Sequence, residues 1–247
     1  MSAGPAQAAV PRALRGTAAA VFDTDGVITD SARVHAAAWK AAFDVHLRDR
    51  QDHQRPFDEH DDYLRYVDGK SRLDGARSFL ESRGLAPAED EVRSVAAAKE
   101  RLFTERLREH GIDAYPGTVR LLRVLRSAGI PRAAASASRH APELLDHAGV
   151  RDLFDTLVDG AEAARLNLPG KPEPALFLEA ARRLGFPAAR TAVVEDALAG
   201  VEAGRRGGFG LVVGVDRART PATRAALLNH GADLVVDDLA DLLTSED

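Results

Sequence analysis

The chain has 247 residues, a formal net charge of −5, 45% hydrophobic residues and no cysteine. This length suits one large α/β domain or a core with a small accessory domain, and it needs no disulfide or metal for stability. The charge gives no electrostatic footprint for nucleic acid or an anionic membrane, and the missing cysteines exclude disulfides and thiolate metal sites.

The first sixteen residues are rich in alanine and proline and lack the compact apolar stretch of a signal peptide. We therefore expect a flexible tail over residues 1–16 and a cytoplasmic protein. The alternative is an N-terminal turn packed on the core. No apolar run approaches the ~20 residues of a membrane span, so we expect no membrane partner.

The first predicted strand covers residues 17–23, which are apolar and lead into a loop at Gly26. From residue 31 to about 108 the pattern is helical, with a charged surface loop over 49–61 and a long amphipathic helix over 90–109. A segment of this length cannot be one loop. We interpret residues 33–110 as an inserted all-helical cap domain.

After residue 117 the predicted helices and strands alternate, which is typical of a doubly wound parallel sheet. The predicted α/β core therefore comprises residues 17–32 and 111–247. Its helices are expected over residues 118–128, 142–148, 174–184 and 197–206. Its remaining strands are expected over residues 132–136, 156–159, 191–195, 210–215 and 233–236.

Several polar side chains follow the predicted strands. Ligands of such sheets bind beyond the carboxyl ends of the strands, so these side chains should converge on one site. Each residue alone is weak evidence for a functional site, because a strand-end Asp or Ser is often a helix cap and a lone Lys is usually solvated. The full set is Asp23, Asp25, Ser136, Lys171, Glu195 and Asp196.

This set has the chemistry of phosphoryl transfer. A carboxylate can act as nucleophile and form a covalent phosphoenzyme, while a second acid protonates the leaving oxygen. Acids that lie close together repel one another unless a hard cation sits between them, and Mg²⁺ prefers such oxygen ligands. A lysine and a hydroxyl can neutralise charge on the transferred group.

The order of these residues resembles the motifs of the haloacid dehalogenase superfamily, in the branch that contains β-phosphoglucomutase and related sugar-phosphate phosphatases. The resemblance runs from about residue 18 to the C-terminus, although Thr24 stands where an apolar residue is more usual. It implies that Asp23 is the nucleophile, that Asp25 is the acid/base, and that Ser136 and Lys171 hold the phosphate. It also implies a Mg²⁺ site that uses Asp23, the backbone carbonyl of Asp25, Glu195 and Asp196.

A second group of residues resembles the hinge, the cap and the facing core loop of that branch. The resemblance implies that His35 helps to position the acid/base and that Arg72 grips the non-reacting phosphate; His140 replaces the usual Asn. His35 could instead be a helix-surface residue, and Arg72 could be solvated. The implied substrate-binding residues are His35, Trp39, Lys40, Gly69, Lys70, Arg72, Ala137, Ser138, Arg139 and His140.

The resemblance implies a monomeric, Mg²⁺-dependent enzyme that interconverts β-glucose 1-phosphate and glucose 6-phosphate. Such a mutase needs a second anion site, for which Lys70, Arg72 and Arg139 are candidates. A sugar-phosphate phosphatase is the alternative, because it shares most of these residues. A non-catalytic binding protein on the same fold is a more remote alternative. We also expect the cap to close over the site, with hinges near residues 29–33 and 115–117.

Overall fold

A computed structural model describes residues 10–48 and 54–243. Six parallel strands form one sheet in the order β3-β2-β1-β4-β5-β6. The predicted doubly wound α/β fold is therefore confirmed. The strands are β1 Ala19–Asp23, β2 Arg132–Ala135, β3 Thr156–Val158, β4 Thr191–Glu195, β5 Leu211–Val215 and β6 Leu234–Val236.

The central strands are apolar on both sides because helices cover both faces of the sheet. In β1, Ala20 and Phe22 belong to the apolar core on one face, whereas Val21 belongs to the core on the other. This explains why β1 reads as a continuous apolar run. The core helices are α4 Pro116–Ser127, α5 Ala141–His147, α6 Gly160–Arg165, α7 Ala175–Leu184, α8 Leu198–Arg206 and α9 Pro221–Asn229.

Sequence periodicity missed two of these helices, α6 and α9. Helix α6 fully buries none of its residues, and α9 fully buries only Leu227, so neither carries the apolar stripe that marks a packed helix. The signal for α9 lay in its start. Thr220 forms a capping box with Thr223, and Pro221 occupies the first turn.

In the described part of the chain, three helices lie between β1 and α4: α1 Ala32–Arg48, α2 Arg72–Ser82 and α3 Glu89–His110, with a π-helical turn over Tyr63–Val67. They share an apolar core in which Phe43 stacks on Trp39 and Phe57 at centroid distances of 4.9 and 5.1 Å. Phe57 belongs to the segment expected to be a surface loop. Its burial anchors that loop, of which residues 49–53 lie outside the described part.

The two segments that link these helices to the sheet run side by side. Tyr115 donates its backbone N–H to the carbonyl of Ile28, and Asp30 donates to that of Asp113, each at 3.0 Å. Arg217, which follows β5, donates to the carbonyl of Gly26 at 2.6 Å, and its guanidinium lies 3.6 Å from the centre of the Tyr115 ring. One side chain therefore contacts both linkers.

The N-terminal segment corrects the expectation of a flexible tail over residues 1–16. Residues 1–9 lie outside the described part, but Arg12–Leu14 form a 3₁₀ turn, and Leu14 is 2% exposed within the same core as Phe22. Burying this leucine offsets the cost of ordering the turn. Among the described residues, no helix is both long and apolar enough to cross a membrane.

Leu14→Ala is expected to lower the free energy of unfolding by about 2–4 kcal/mol, since it removes a buried side chain and leaves a cavity. Urea unfolding followed by circular dichroism measures this. Leu228→Ala is the matched control, because that leucine is 46% exposed and its truncation should cost well under ~1 kcal/mol. Equal effects would show that the turn does not belong to the core.

Candidate active site

A cavity of about 240 Å³ lies where the carboxyl ends of β1 and β4 face the helices of the cap. Asp23 and Asp25 line it from the end of β1, and Asp196 lines it from the residue after β4. Strands β1 and β4 are neighbours at the point where the strand order reverses, which is the usual ligand position in this architecture.

The Lys171 ammonium is buried between two acids. Its Nζ lies 2.5 Å from Asp23 Oδ1 and 2.5 Å from Glu195 Oε1. Burial disfavours this charge, but the two carboxylates outweigh it and raise the pKa of Lys171 above its ordinary value. The second Glu195 oxygen accepts the backbone N–H of Ala197 at 2.6 Å, so the chain itself uses both oxygens of Glu195.

Asp23, Glu195 and Asp196 form an acidic cluster in which one carboxylate oxygen from each lies within 4.8 Å of the others. Burial raises the pKa of Asp23 and of Asp196 well above the ordinary range, and the neighbouring acids add to the shift. A divalent cation would remove this repulsion and supply charge to a bound phosphate. The donor set therefore fits Mg²⁺.

Two glycines make room for these acids. A side chain at Gly26 would overlap the Asp196 carboxylate, and one at Gly200 would overlap that of Glu195. Gly26 also has a φ of 75°, which side-chain-bearing residues rarely adopt. Glycine at these positions is needed for the acids to approach the end of β1.

Asp25 has a different set of partners from Asp23. Its Oδ1 accepts hydrogen bonds from the Ser31 hydroxyl and from His35 Nε2, the latter at 3.1 Å. On the far side of the imidazole, Lys99 Nζ lies 2.8 Å from His35 Nδ1. Burial opposes ionisation of Asp25, but His35 and Ser31 outweigh it and lower the pKa of this carboxyl.

These donors define the state of the His35 ring. An ammonium can only donate, so His35 Nδ1 must accept from Lys99, and the ring proton then lies on Nε2 and points to Asp25. Burial lowers the pKa of His35, and Lys99 lowers it further. Burial likewise lowers the pKa of Lys99 to about 8, so that lysine stays charged at neutral pH.

Asp68 brings a further acid from the cap to this cavity. Burial raises its pKa to about 7, with a further contribution from Glu195, although a hydrogen bond with Tyr63 opposes the shift. The cavity is therefore lined by a carboxyl group from the cap in addition to those at the strand ends.

Arg72 is the first residue of α2 and lines the cavity, and its contact with substrate stays a prediction. Its guanidinium binds Glu100 at 2.7 Å, and His140 binds the same carboxylate at 2.8 Å. His140 was also predicted to contact substrate, but it binds Glu100 and is not among the residues that line the cavity. The remaining predicted residues that line the cavity are His35, Trp39, Gly69, Lys70, Ala137, Ser138 and Arg139.

Lys40 corrects the predicted set, because the structure does not bring it to the cavity. Its ammonium binds Asp44 at 2.9 Å and the carbonyl of Phe57 at 3.0 Å. One residue along a helix turns the side chain by about 100°, which points Lys40 away from the direction of Trp39.

Ser136 is buried at the end of β2, where its hydroxyl accepts the backbone N–H of Ser138 at 3.1 Å.

Residues 17–208 match the model of the haloacid dehalogenase-like hydrolase family. The chain is 41% identical to the β-phosphoglucomutase of Mycobacterium tuberculosis (strain CDC 1551 / Oshkosh) over 91% of each chain. The chain belongs to the haloacid dehalogenase-like hydrolase family. It is also 28% identical to a phosphorylated carbohydrates phosphatase of Thermotoga maritima, over 88% of this chain and 93% of the relative.

A crystal structure of β-phosphoglucomutase from Clostridium difficile superposes with a TM-score of 0.72 and 28% identity, over 92% of this chain and 93% of that one. The similarity places this haloacid dehalogenase-like protein in the β-phosphoglucomutase-like branch. It is therefore an enzyme, a phosphotransferase or a phosphatase, rather than a non-catalytic protein on the same fold.

Sequence reasoning missed Lys99, although a signal was present. Lys99 lies four residues after Val95 and four before Phe103, on the apolar stripe of α3, where a charged residue is out of pattern. Its ammonium lies 4.6 Å from the centre of the Phe103 ring, which helps to hold the buried charge. A lysine on a buried stripe therefore indicated a buried charge with partners, which in this haloacid dehalogenase-like enzyme are His35 and the Phe103 ring.

Lys99→Met should raise the pKa of His35, because it removes the charge that lowers that pKa while keeping the ring buried. NMR titration of the His35 ring measures the change. We also expect kcat to fall about tenfold as Asp25 loses its fixed partner. Arg101→Met, an exposed residue of α3, is the control. An unchanged His35 titration in Lys99→Met would contradict the assignment.

Proposed function

We propose that this enzyme transfers phosphoryl groups with Mg²⁺ through an aspartyl-phosphate on Asp23, and that it interconverts β-glucose 1-phosphate and glucose 6-phosphate. The observation that carries the proposal is that Asp23 and Asp25 line the cavity from the end of β1 while Arg72 lines it from cap helix α2. The first two serve the chemistry, and the arginine serves a second phosphate.

The acidic cluster supports a Mg²⁺ site. Asp23, Asp196 and the backbone carbonyl of Asp25 would hold the ion, with Glu195 holding Lys171 and the start of the loop after β4. When bound, the ion would neutralise charge on the phosphate oxygens. Lys171 contributes a fixed positive charge beside Asp23 Oδ1 and leaves Oδ2 for attack.

The proposed reaction proceeds in two steps. In the first, an Asp23 oxygen forms a bond to phosphorus, the bond between phosphorus and the sugar oxygen breaks, and Asp25 gives that oxygen a proton. In the second, a sugar hydroxyl attacks the aspartyl-phosphate, Asp25 takes the hydroxyl proton, and the Asp23 carboxylate leaves. Asp25 therefore enters the first step protonated and recovers its proton in the second. In the structure His35 and Ser31 lower the pKa of Asp25, which favours the carboxylate form that acts in the second step.

The Arg72–Glu100 ion pair favours a second candidate, a sugar-phosphate phosphatase. Glu100 already neutralises the arginine that would grip the non-reacting phosphate. A phosphatase needs only one phosphate site, because water takes the place of the sugar hydroxyl. The similarity to a phosphorylated carbohydrates phosphatase adds weight to this candidate.

Asp23→Asn should lower kcat by about a thousandfold or more, because it removes the nucleophile while keeping the shape of the side chain. Hydrolysis of p-nitrophenyl phosphate with Mg²⁺ measures the effect, and EDTA should abolish the wild-type activity. Asp146→Asn, at an exposed position of α5, is the control. A folded Asp23→Asn enzyme that keeps a tenth of the activity would rule out the aspartyl-phosphate.

Arg72→Ala should distinguish mutase from phosphatase. In a mutase it should lower kcat/KM for β-glucose 1-phosphate by about 10- to 100-fold, since a charged hydrogen bond to phosphate is lost. Hydrolysis of p-nitrophenyl phosphate, which has no second phosphate, should fall far less. Separate assays for glucose 6-phosphate and free phosphate measure both reactions.

The control for this variant is Arg77→Ala, on the same helix, where the arginine pairs with Glu89. It should change neither substrate's turnover appreciably. Equal losses on both substrates in Arg72→Ala, or wild-type enzyme that releases phosphate without forming glucose 6-phosphate, would favour the phosphatase.

A further inference from the structure

One carboxylate oxygen joins the cap to the core beside the cavity. Glu100 Oε1 lies 2.7 Å from Arg72 Nη1 and 2.8 Å from His140 Nε2. Arg72 and Glu100 belong to cap helices α2 and α3, whereas His140 is the N-cap residue of core helix α5. A single anionic oxygen therefore connects three elements across the boundary between cap and core.

The Glu100 carboxylate is strongly stabilised in its ionised form although its side chain is partly exposed. The Glu100 side chain is 27% exposed, and the hydrogen bond from His140, followed by that from Arg72, lowers its pKa to about 2. The hydrogen bond with Glu100 in turn raises the pKa of His140. The carboxylate is therefore ionised at neutral pH and held by two cationic or hydrogen-bonding groups.

The two donors present what a phosphate oxygen would need. Arg72 supplies a planar guanidinium and His140 supplies a ring N–H, and both point at one anionic oxygen. Ser138 and Arg139, which precede His140, line the same cavity. The non-reacting phosphate of a sugar bound in the cavity would compete with Glu100 for Arg72 and His140.

We infer that Glu100 is an internal occupant of the distal phosphate site and that it sets the enzyme's selectivity for substrates with a second phosphate. The inference rests on the proposed function, which assigns the non-reacting phosphate to Arg72. When that phosphate binds, it displaces the carboxylate and takes over the bridge between Arg72 and His140. The chain thus weakens its own affinity for doubly phosphorylated sugars.

The size of the effect follows from competition. The apparent affinity for the second phosphate equals the intrinsic affinity multiplied by the fraction of molecules in which Arg72 is free. A partly exposed ion pair of ordinary strength reduces that fraction by about fivefold. Removing the carboxylate charge should therefore tighten the binding of a bisphosphate about fivefold and leave the binding of a single phosphate at Asp23 largely as it was.

Binding is best measured in the Asp23→Asn background, which prevents turnover. Calorimetry would give the Kd of glucose 1,6-bisphosphate, which needs both sites, and that of inorganic phosphate, which needs one, each with Mg²⁺. The readout is the ratio of the two Kd values. Glu100→Gln keeps the shape of the side chain and should raise the preference for the bisphosphate about fivefold.

Glu143→Gln is the matched control. Glu143 lies on core helix α5, contacts the other ring nitrogen of His140 at 3.0 Å and is 63% exposed. It removes the same charge from the same neighbourhood and should leave the ratio unchanged. In an Arg72→Ala background, Glu100→Gln should lose most of its effect, because the competitor and the site it occupies form one coupled pair.

The outcomes separate the inference from the proposed function. A bisphosphate that binds no more tightly than phosphate in every variant would overturn the second anion site itself. A bisphosphate preference that Arg72→Ala abolishes but Glu100→Gln leaves unchanged or lowers would overturn only the role of Glu100. An equal rise in Glu143→Gln would assign the effect to general charge rather than to the contact with Arg72.

Discussion

The buried ammonium of Lys171 lies at the centre of the carboxyl edge of this sheet. It lies between Asp23 on β1 and Glu195 on β4, and each of these acids would be costly to bury alone. The lysine comes from the loop before α7, so the contact ties three separate segments of the chain to one point. The positions of the acidic cluster and of the two glycines beside it depend on the contact of Lys171 with these two acids.

The two aspartates of the site differ because their neighbours differ. Burial raises the pKa of Asp23, and the neighbouring acids Glu195 and Asp25 add to the shift. Asp25 faces His35, and its pKa is lowered. The imidazole and the lysine behind it belong to cap helices α1 and α3, whereas both aspartates belong to the core. The core therefore provides Asp23, the proposed nucleophile, and both the cap residue His35 and the core residue Ser31 lower the pKa of Asp25.

The strand ends were the most predictable part of the molecule. Buried parallel strands read as apolar runs, and β4 was predicted to the residue while β2 and β5 differ by one residue at an end. The strand-end acids and Lys171 could be found for the same reason, because chain order and sheet topology bring them together. The family resemblance then added the cap residues, of which Arg72 and His35 line the cavity.

What the sequence could not supply depends on contacts between distant segments. Leu14 looks like part of an alanine- and proline-rich tail until the core that covers it is known. Glu100 reads as a solvated residue of α3, and only the approach of Arg72 and His140 makes it a bridge. Lys40 was assigned to the substrate site by the family resemblance, whereas the helix turns its side chain away from Trp39 and towards Asp44.

The paired linkers under Arg217 have a consequence for how such an enzyme can diversify. Because the Arg217 guanidinium contacts both linkers, the inserted helices are attached to the sheet at one place. Substitutions within the inserted helices at positions other than His35 and Lys99 can reshape the wall of the cavity without altering the contacts that hold Asp23. New substrates are thus accessible by changes in one part of the chain while the inherited chemistry is left intact.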